Sequence, residues 1–297
     1  MAPEFKKYIV NFVGNGMCYE QIIADMQADA AELECNVVGF NLRGVGNSTG
    51  HPQSKQDLVN DGIAQIQRLL DAGVSAENIT LKGHSLGGGI STLVADHFHK
   101  QGYKVNLFNG RSFSSLTNFV VGQIRTGSSE TGHEETFGGK LLGWLAKPFV
   151  SFAVRLVKWE MDADDAFKAI PAEYKEYMLA RTRREMRTAE VLDDPVIPHY
   201  ASLHAALKTE RQIQKDNLDD VIATAPNATR DAAKKARASY QDRKMENDNP
   251  RGHGHVTPMD NLHSRSGKTA TTFFREFVGR AHSEHGNKPA VDNPSLI

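Results

Sequence analysis

Five consecutive residues, Gly83-His84-Ser85-Leu86-Gly87, have the types and spacing of a nucleophilic serine held in a sharp turn. They follow a β-type run, Asn78-Ile79-Thr80-Leu81-Lys82, and lead into a helix-like segment, Gly87-Gly88-Gly89-Ile90-Ser91-Thr92-Leu93-Val94-Ala95. A bare G-x-S-x-G recurs by chance in long chains, where it is only a serine in a Gly-rich turn. Between a strand and a helix it reads as a nucleophile elbow. The chemistry explains the glycines, because the serine must project from a strained turn between closely approaching backbones. The backbone N–H of Leu86, at the positive end of the helix, would then face a developing oxyanion. Lys82, just before the elbow, is expected to pack its stem and carry its ammonium to water.

A serine hydroxyl is a weak nucleophile without a base and an orienting acid. On a strand–elbow–helix scaffold the chain order is Ser, then Asp or Glu, then His. Asp194 is the chosen acid, with Asp193 the runner-up, because Asp193-Asp194-Pro195-Val196-Ile197-Pro198 reads as a turn after a strand. The plainer reading is a solvated turn acid or a helix cap. For the base, Arg251-Gly252-His253-Gly254-His255 lies between the final candidate strand and the last helix. His255 is preferred over His253. A zinc reading of His-x-His lacks a convincing third ligand. His84 supports the elbow, and His97 and His99 are surface or packing residues. A second oxyanion donor is expected in Gly14-Asn15-Gly16-Met17, through the backbone N–H of Asn15, a reading that coexists with a simple strand-to-helix turn.

These residues need a scaffold, and the alternation of segments supplies one. Strand-type runs at 7–13, 35–41, 78–82 and 103–108 alternate with helical patterns at 17–33, 54–72 and 87–101. That order implies a parallel sheet with helices on both faces, with a site at the carboxyl ends of its strands. Residues 126–139 then read as a mobile Gly/Ser/Thr/Glu-rich loop. The apolar stretch at 141–159 is interrupted by Lys147, Pro148, Arg155 and Lys158, which argues against a membrane span. It is expected to be a helix pair packing on the sheet, ahead of a lid that lines an acyl pocket or touches lipid. Further on, 173–180 reads as a strand, 198–223 and 229–239 as polar helices, and 241–246 as a short final strand. Residues 269–282 read as a closing amphipathic helix. The implied organisation is a core at 1–119, a cap at 120–172, the rest of the core at 173–282 with a helical insertion, and a flexible tail at 283–297.

Composition narrows the function classes. The 297 residues carry 39% hydrophobic and 24% charged side chains and a net charge of −1, so a large soluble core fits and an electrostatic nucleic-acid binder does not. Cys18 and Cys35 form no C-x-x-C or disulfide framework, and no signal peptide is read, which suggests an intracellular or reducing setting. Without a secretory signal the Asn47, Asn78 and Asn227 glycosylation matches carry no weight. Nucleotide motifs fail as well: residues 44–50 lack the G-x-G-x-x-G spacing, and Gly267-Lys268-Thr269 has Leu262 where a P-loop needs glycine.

Three segments together resemble the α/β-hydrolase superfamily: Phe12-Val13-Gly14-Asn15-Gly16, Phe40-Asn41-Leu42-Arg43-Gly44-Val45-Gly46-Asn47-Ser48-Thr49-Gly50, and Gly83 to Gly88. The middle one is similar to that superfamily's D-x-R-G-x-G-x-S turn, with Asn41 in the acid's place. The resemblance is strong over 7–113 and weak beyond, and it implies the α/β-hydrolase fold without its usual leading hairpin. Arg111 and Ser112 would then face the site or anchor it. Residues 14–20 and 110–116 are similar to α/β-hydrolase-like proteins of intracellular bacterial pathogens such as Legionella, which would imply a bacterial effector delivered into a host cell. The reading that follows is a serine hydrolase of hydrophobic or lipid acyl esters, with Ser85, His255 and Asp194 as triad and Leu86 and Asn15 as oxyanion donors. It needs no metal or organic cofactor. Acyl transfer through the same triad and a non-catalytic binding module are the alternatives. The partner expected is the ester itself, with peripheral membrane contact through 141–159 and no nucleic acid.

Overall fold

The computed structural model describes residues 6–126, 135–183, 191–192, 194, 196–247 and 254–284. Among the described residues eight strands form one sheet in the order β2-β1-β3-β4-β5-β7-β8, with β6 pairing to β5. β1 (Tyr8–Phe12), β2 (Asn36–Gly39), β3 (Ile79–His84), β4 (Asn106–Gly110), β5 (Lys175–Arg183) and β7 (Lys244–Asn247) run parallel. β6 (Val191–Leu192) and β8 (Leu262–Ser264) are antiparallel to their neighbours. β5 starts two residues later than its apolar pattern suggests, because Ala172–Tyr174 wind into a 3-10 turn after Pro171. β8 is a further strand between the His255 loop and the last helix, and its three residues are too few to show alternation.

The first strands are near-continuous apolar runs because helices cover both their faces. α2 (Lys55–Asp71), α3 (Leu86–Lys100) and α6 (Ala163–Ala169) lie over one face, where Phe12, Ile66, Leu81, Val94, Phe98 and Phe167 share a core. α1 (Ile23–Leu33) and α10 (Ala270–Glu284) lie over the other, where Phe108, Met178, Met245, Phe273 and Phe274 share a second. Lys82 does not carry its ammonium to water. Its Nζ sits 2.6 Å from Asp29 Oδ2 of α1 and 4.2 Å from the centre of the Phe274 ring. Asp29 also faces Arg275 of α10 at 3.4 Å, so one buried carboxylate joins β3, α1 and α10.

Between β4 and β5 the chain forms α4 (Leu116–Thr126), α5 (Phe137–Leu156) and α6. Residues 137–139, expected in a loop, open α5 behind the cap of Thr136, whose hydroxyl accepts from the Gly139 N–H. α5 packs against α4 rather than on the sheet, and Gly143 is its one buried residue. The polar region beyond β6 divides into a 3-10 turn at His199–Ala201, α7 (Leu203–Ala206), α8 (Lys208–Thr224) and α9 (Asn227–Asp242).

Candidate active site

Ser85 stands between the last residue of β3 and the first of α3, with φ 54° and ψ −119°. Positive φ strains a non-glycine residue, so the turn must be held from several sides. The Ser85 N–H donates to Gly110 O at 2.9 Å, and its carbonyl accepts from Gly88 N and from Ser112 Oγ, the latter at 2.8 Å. The flanking glycines are required by space. A Cβ on Gly83 would stand 2.6 Å from Gly87 O, and one on Gly87 would meet the Phe12 carbonyl well inside 3 Å.

The loop before β8 brings His255 onto this serine. His255 Nε2 is 2.9 Å from Ser85 Oγ, and its Nδ1 is 2.7 Å from Asp194 Oδ2. All three side chains are buried. The other oxygen of Asp194 accepts from the N–H groups of Val196 and Ile197 at 2.8 and 3.2 Å, which fixes the carboxylate in its turn. A hydroxyl, an imidazole and an anchored carboxylate in one line is an arrangement that can pass a proton off the serine. Asp193 and His253, the alternatives, lie outside the described residues. Leu86 opens α3, where the first N–H groups of a helix have no acceptor of their own. The turn Gly14–Met17, closed by Met17 N to Gly14 O at 3.2 Å, lies against Ser85 at the buried Gly14, with Asn15 next and exposed.

Arg111 anchors the loop that carries His255. It leaves β4 with φ 53°, and its Nη1 donates to Gly254 O at 3.0 Å and Thr257 O at 2.7 Å, gripping the His255 loop on both sides. Burial lowers its guanidinium to about 10 against the opposing pull of Asp194 and then Asp25. A charged residue directly after the buried strand Asn106–Gly110 is the sequence feature that marks it. His84 packs its ring 5.0 Å from that of His255. Burial, reinforced by Arg111, His255 and Lys82, holds the His84 imidazole well below its ordinary range, so it serves as a neutral wall. His99 is a packing residue, its Nε2 2.8 Å from Val105 O. Asn41 fixes the start of the Gly-rich turn, accepting from Tyr19 N and donating to Glu20. Among the described residues no group of three His, Cys, Asp or Glu side chains is placed to hold a metal ion.

Residues 9–104 match the family model described as alpha/beta hydrolase fold. The chain has the α/β-hydrolase fold. Over 143 residues, 48% of this chain, it is 27% identical to the multifunctional-autoprocessing repeats-in-toxin proteins of Vibrio cholerae and Vibrio vulnificus, of which the match spans 3% and 2%. Among solved structures, the alpha-beta hydrolase (ABH) from Vibrio vulnificus is 20% identical with a TM-score of 0.44, over 60% of this chain and 57% of that one. The Pyrococcus furiosus esterase Pf2001 is 14% identical with a TM-score of 0.42, over 70% and 67%. No helix among the described residues of this α/β-hydrolase fold is long and apolar enough to cross a membrane.

Proposed function

We propose that this chain is a serine hydrolase that cleaves carboxylic esters, with hydrophobic acyl esters, lipids among them, as its substrate class. The observation that carries the reading is the buried line from Ser85 Oγ through His255 to Asp194, with bonds of 2.9 and 2.7 Å. Ser85 Oγ attacks the ester carbonyl as His255 Nε2 takes its proton. Asp194 keeps the Nδ1–H side of the ring oriented and stabilises the imidazolium that forms. The N–H groups of Leu86 and Asn15 hold the oxyanion. His255 then gives its proton to the leaving alcohol, and water, deprotonated by the same imidazole, releases the acid from the acyl enzyme. Arg111 is a positioning residue in this scheme, since it holds the loop that carries the base. The choice of lipid esters within that class rests on the exposed apolar surface of α5, which would bring the chain to an acyl-chain interface rather than line the site.

Hydrolysis of p-nitrophenyl esters of increasing chain length, by the native protein and by Ser85→Ala, tests the proposal. The expected result is a fall of at least ~10³-fold in Ser85→Ala and a similar fall in His255→Ala, because triad members act as a unit. Full activity in a folded Ser85→Ala protein would sink it.

A further inference from the structure

The α4–α5 hairpin carries an apolar face that no described residue covers. Phe137, Leu141, Trp144, Leu145, Phe149, Phe152 and Leu156 recur at steps of one, three or four residues and form one stripe along the helix. Each is more than half exposed, and Phe137, Phe149 and Trp144 reach 86%, 77% and 70%. Nine of the thirteen large apolar side chains exposed among the described residues fall within 137–157. A contiguous patch of this kind is rare on a monomer and marks a surface that is used. The direction of the stripe is fixed by the opposite side of the helix. There a Cβ on Gly143 would stand 2.5 Å from Arg125 Cγ of α4, and Arg125 is held in turn by Glu135 and by the Tyr200 ring.

The charges select the occupant. Between Phe137 and Lys158 there is no Asp or Glu, while Lys140, Lys147, Arg155 and Lys158 all fall there. Lys140 lies 3.8 Å from Glu135, Arg155 3.2 Å from Asp162, and Lys147 donates to Tyr200 OH at 3.2 Å. These are exposed contacts, individually weak and readily exchanged for lipid phosphate. Isologous pairing of this face with a second copy would set cations against cations. An anionic bilayer meets them with opposite charge and takes the aromatic stripe into its interface. The helix, about 30 Å long at 1.5 Å per residue, is too charged to span and suited to lying in the plane. Its partner helix α4 is bonded to the acid loop, since Gln123 donates to Val196 O at 2.9 Å, two residues beyond Asp194.

We propose that α5 docks this protein on anionic phospholipid bilayers, with its aromatic stripe in the boundary between headgroups and acyl chains. The inference deepens the lipid-ester reading but does not need its chemistry, so it is tested on the full chain carrying Ser85→Ala. Flotation with vesicles of phosphatidylcholine alone, and of phosphatidylcholine with phosphatidylglycerol, is the measurement. Binding at least ~10-fold stronger to the anionic vesicles is expected, weakening as salt is raised. The combined Trp144→Ser, Phe149→Ser and Phe152→Ser variant should lose at least ~10-fold of that binding. These side chains are exposed, so the variant should fold, and with Ser85 restored its p-nitrophenyl butyrate hydrolysis should match the native protein. With Trp159→Phe, Trp144 is the remaining tryptophan and its emission should shift to the blue on anionic vesicles. Flotation with neither composition, or equal flotation with both, would overturn the proposal. So would a dimer in solution that the triple variant splits while vesicles bind neither form. Absence of ester hydrolysis would count against the enzyme and leave the docking result standing.

Discussion

α5 and α10 are both amphipathic helices rich in phenylalanine, and the molecule treats them in opposite ways. Phe273, Phe274 and Phe277 of α10 are at most 3% exposed and surround Phe108 of β4 with ring centres 4.9 to 6.0 Å away. Phe137, Phe149 and Phe152 of α5 are at least 69% exposed. An apolar stripe therefore records that a helix must be covered, and its own residues do not say by what. The neighbour decides. α10 turns its stripe to the sheet, whereas α5 turns Gly139 and Gly143 to α4 and its stripe outward.

Substitutions on the two helices should break this contrast if it is wrong. Phe274→Ala should cost about 3–5 kcal/mol of unfolding free energy in denaturant titrations, through lost burial and the cavity left against Phe108. A loss under about 1 kcal/mol would mean that α10 is not the cover of that face. His282, also on α10, should make the same face acid-sensitive. Its Nε2 lies 3.1 Å from Thr80 Oγ1 of β3, and burial, helped by Lys7, lowers its imidazole to about 4. The unfolded chain takes up a proton near pH 6.5 that the folded protein refuses. The stabilising contribution is thus complete above about 6.5 and declines as pH falls toward 4, by roughly 3 kcal/mol over that range. His282→Gln, which keeps a partner for Thr80, should flatten the acid limb of stability against pH, and an unchanged limb would count against the buried neutral ring.

Gly143→Leu should lift α5 from α4 at a cost of about 1–3 kcal/mol, because Arg125 occupies the space the side chain needs. Thermal melts would read it, and a melt unchanged from native would mean that the two helices are not closely packed there. Phe152→Ser should change stability by no more than about 0.5 kcal/mol. A loss of several kcal/mol at Phe152 would show that the α5 stripe is buried after all.

Legibility in the sequence follows the same division. The alternation from β1 to β4 could be read because β1, β3 and β4 are largely buried apolar runs, the half-buried edge strand β2 carries two valines, and each helix shows its own period. Ser85 could be read because the elbow is a local arrangement, complete within five residues. The acid and the base were legible only as loops in the right order, since nothing local chooses between Asp193 and Asp194 or between His253 and His255. Three-dimensional closure brings Asp194 and His255 to Ser85, and it is Arg111, 143 residues from Gly254, that holds the loop in place. Lys82 looked like a strand-end lysine bound for water because its partner Asp29 lies 53 residues away. The outward face of α5 was hidden for a related reason: periodicity shows a stripe, and only the packing of Gly143 shows which way it turns.

The most direct test of the central claim is intact-mass analysis of the folded protein after reaction with a fluorophosphonate, with the modified residue located by peptide mapping. The account predicts one adduct, on Ser85, formed far more slowly in His255→Gln because the imidazole no longer removes the serine proton. A folded protein that takes no adduct, or takes it elsewhere while Ser85 stays free, would contradict the serine mechanism.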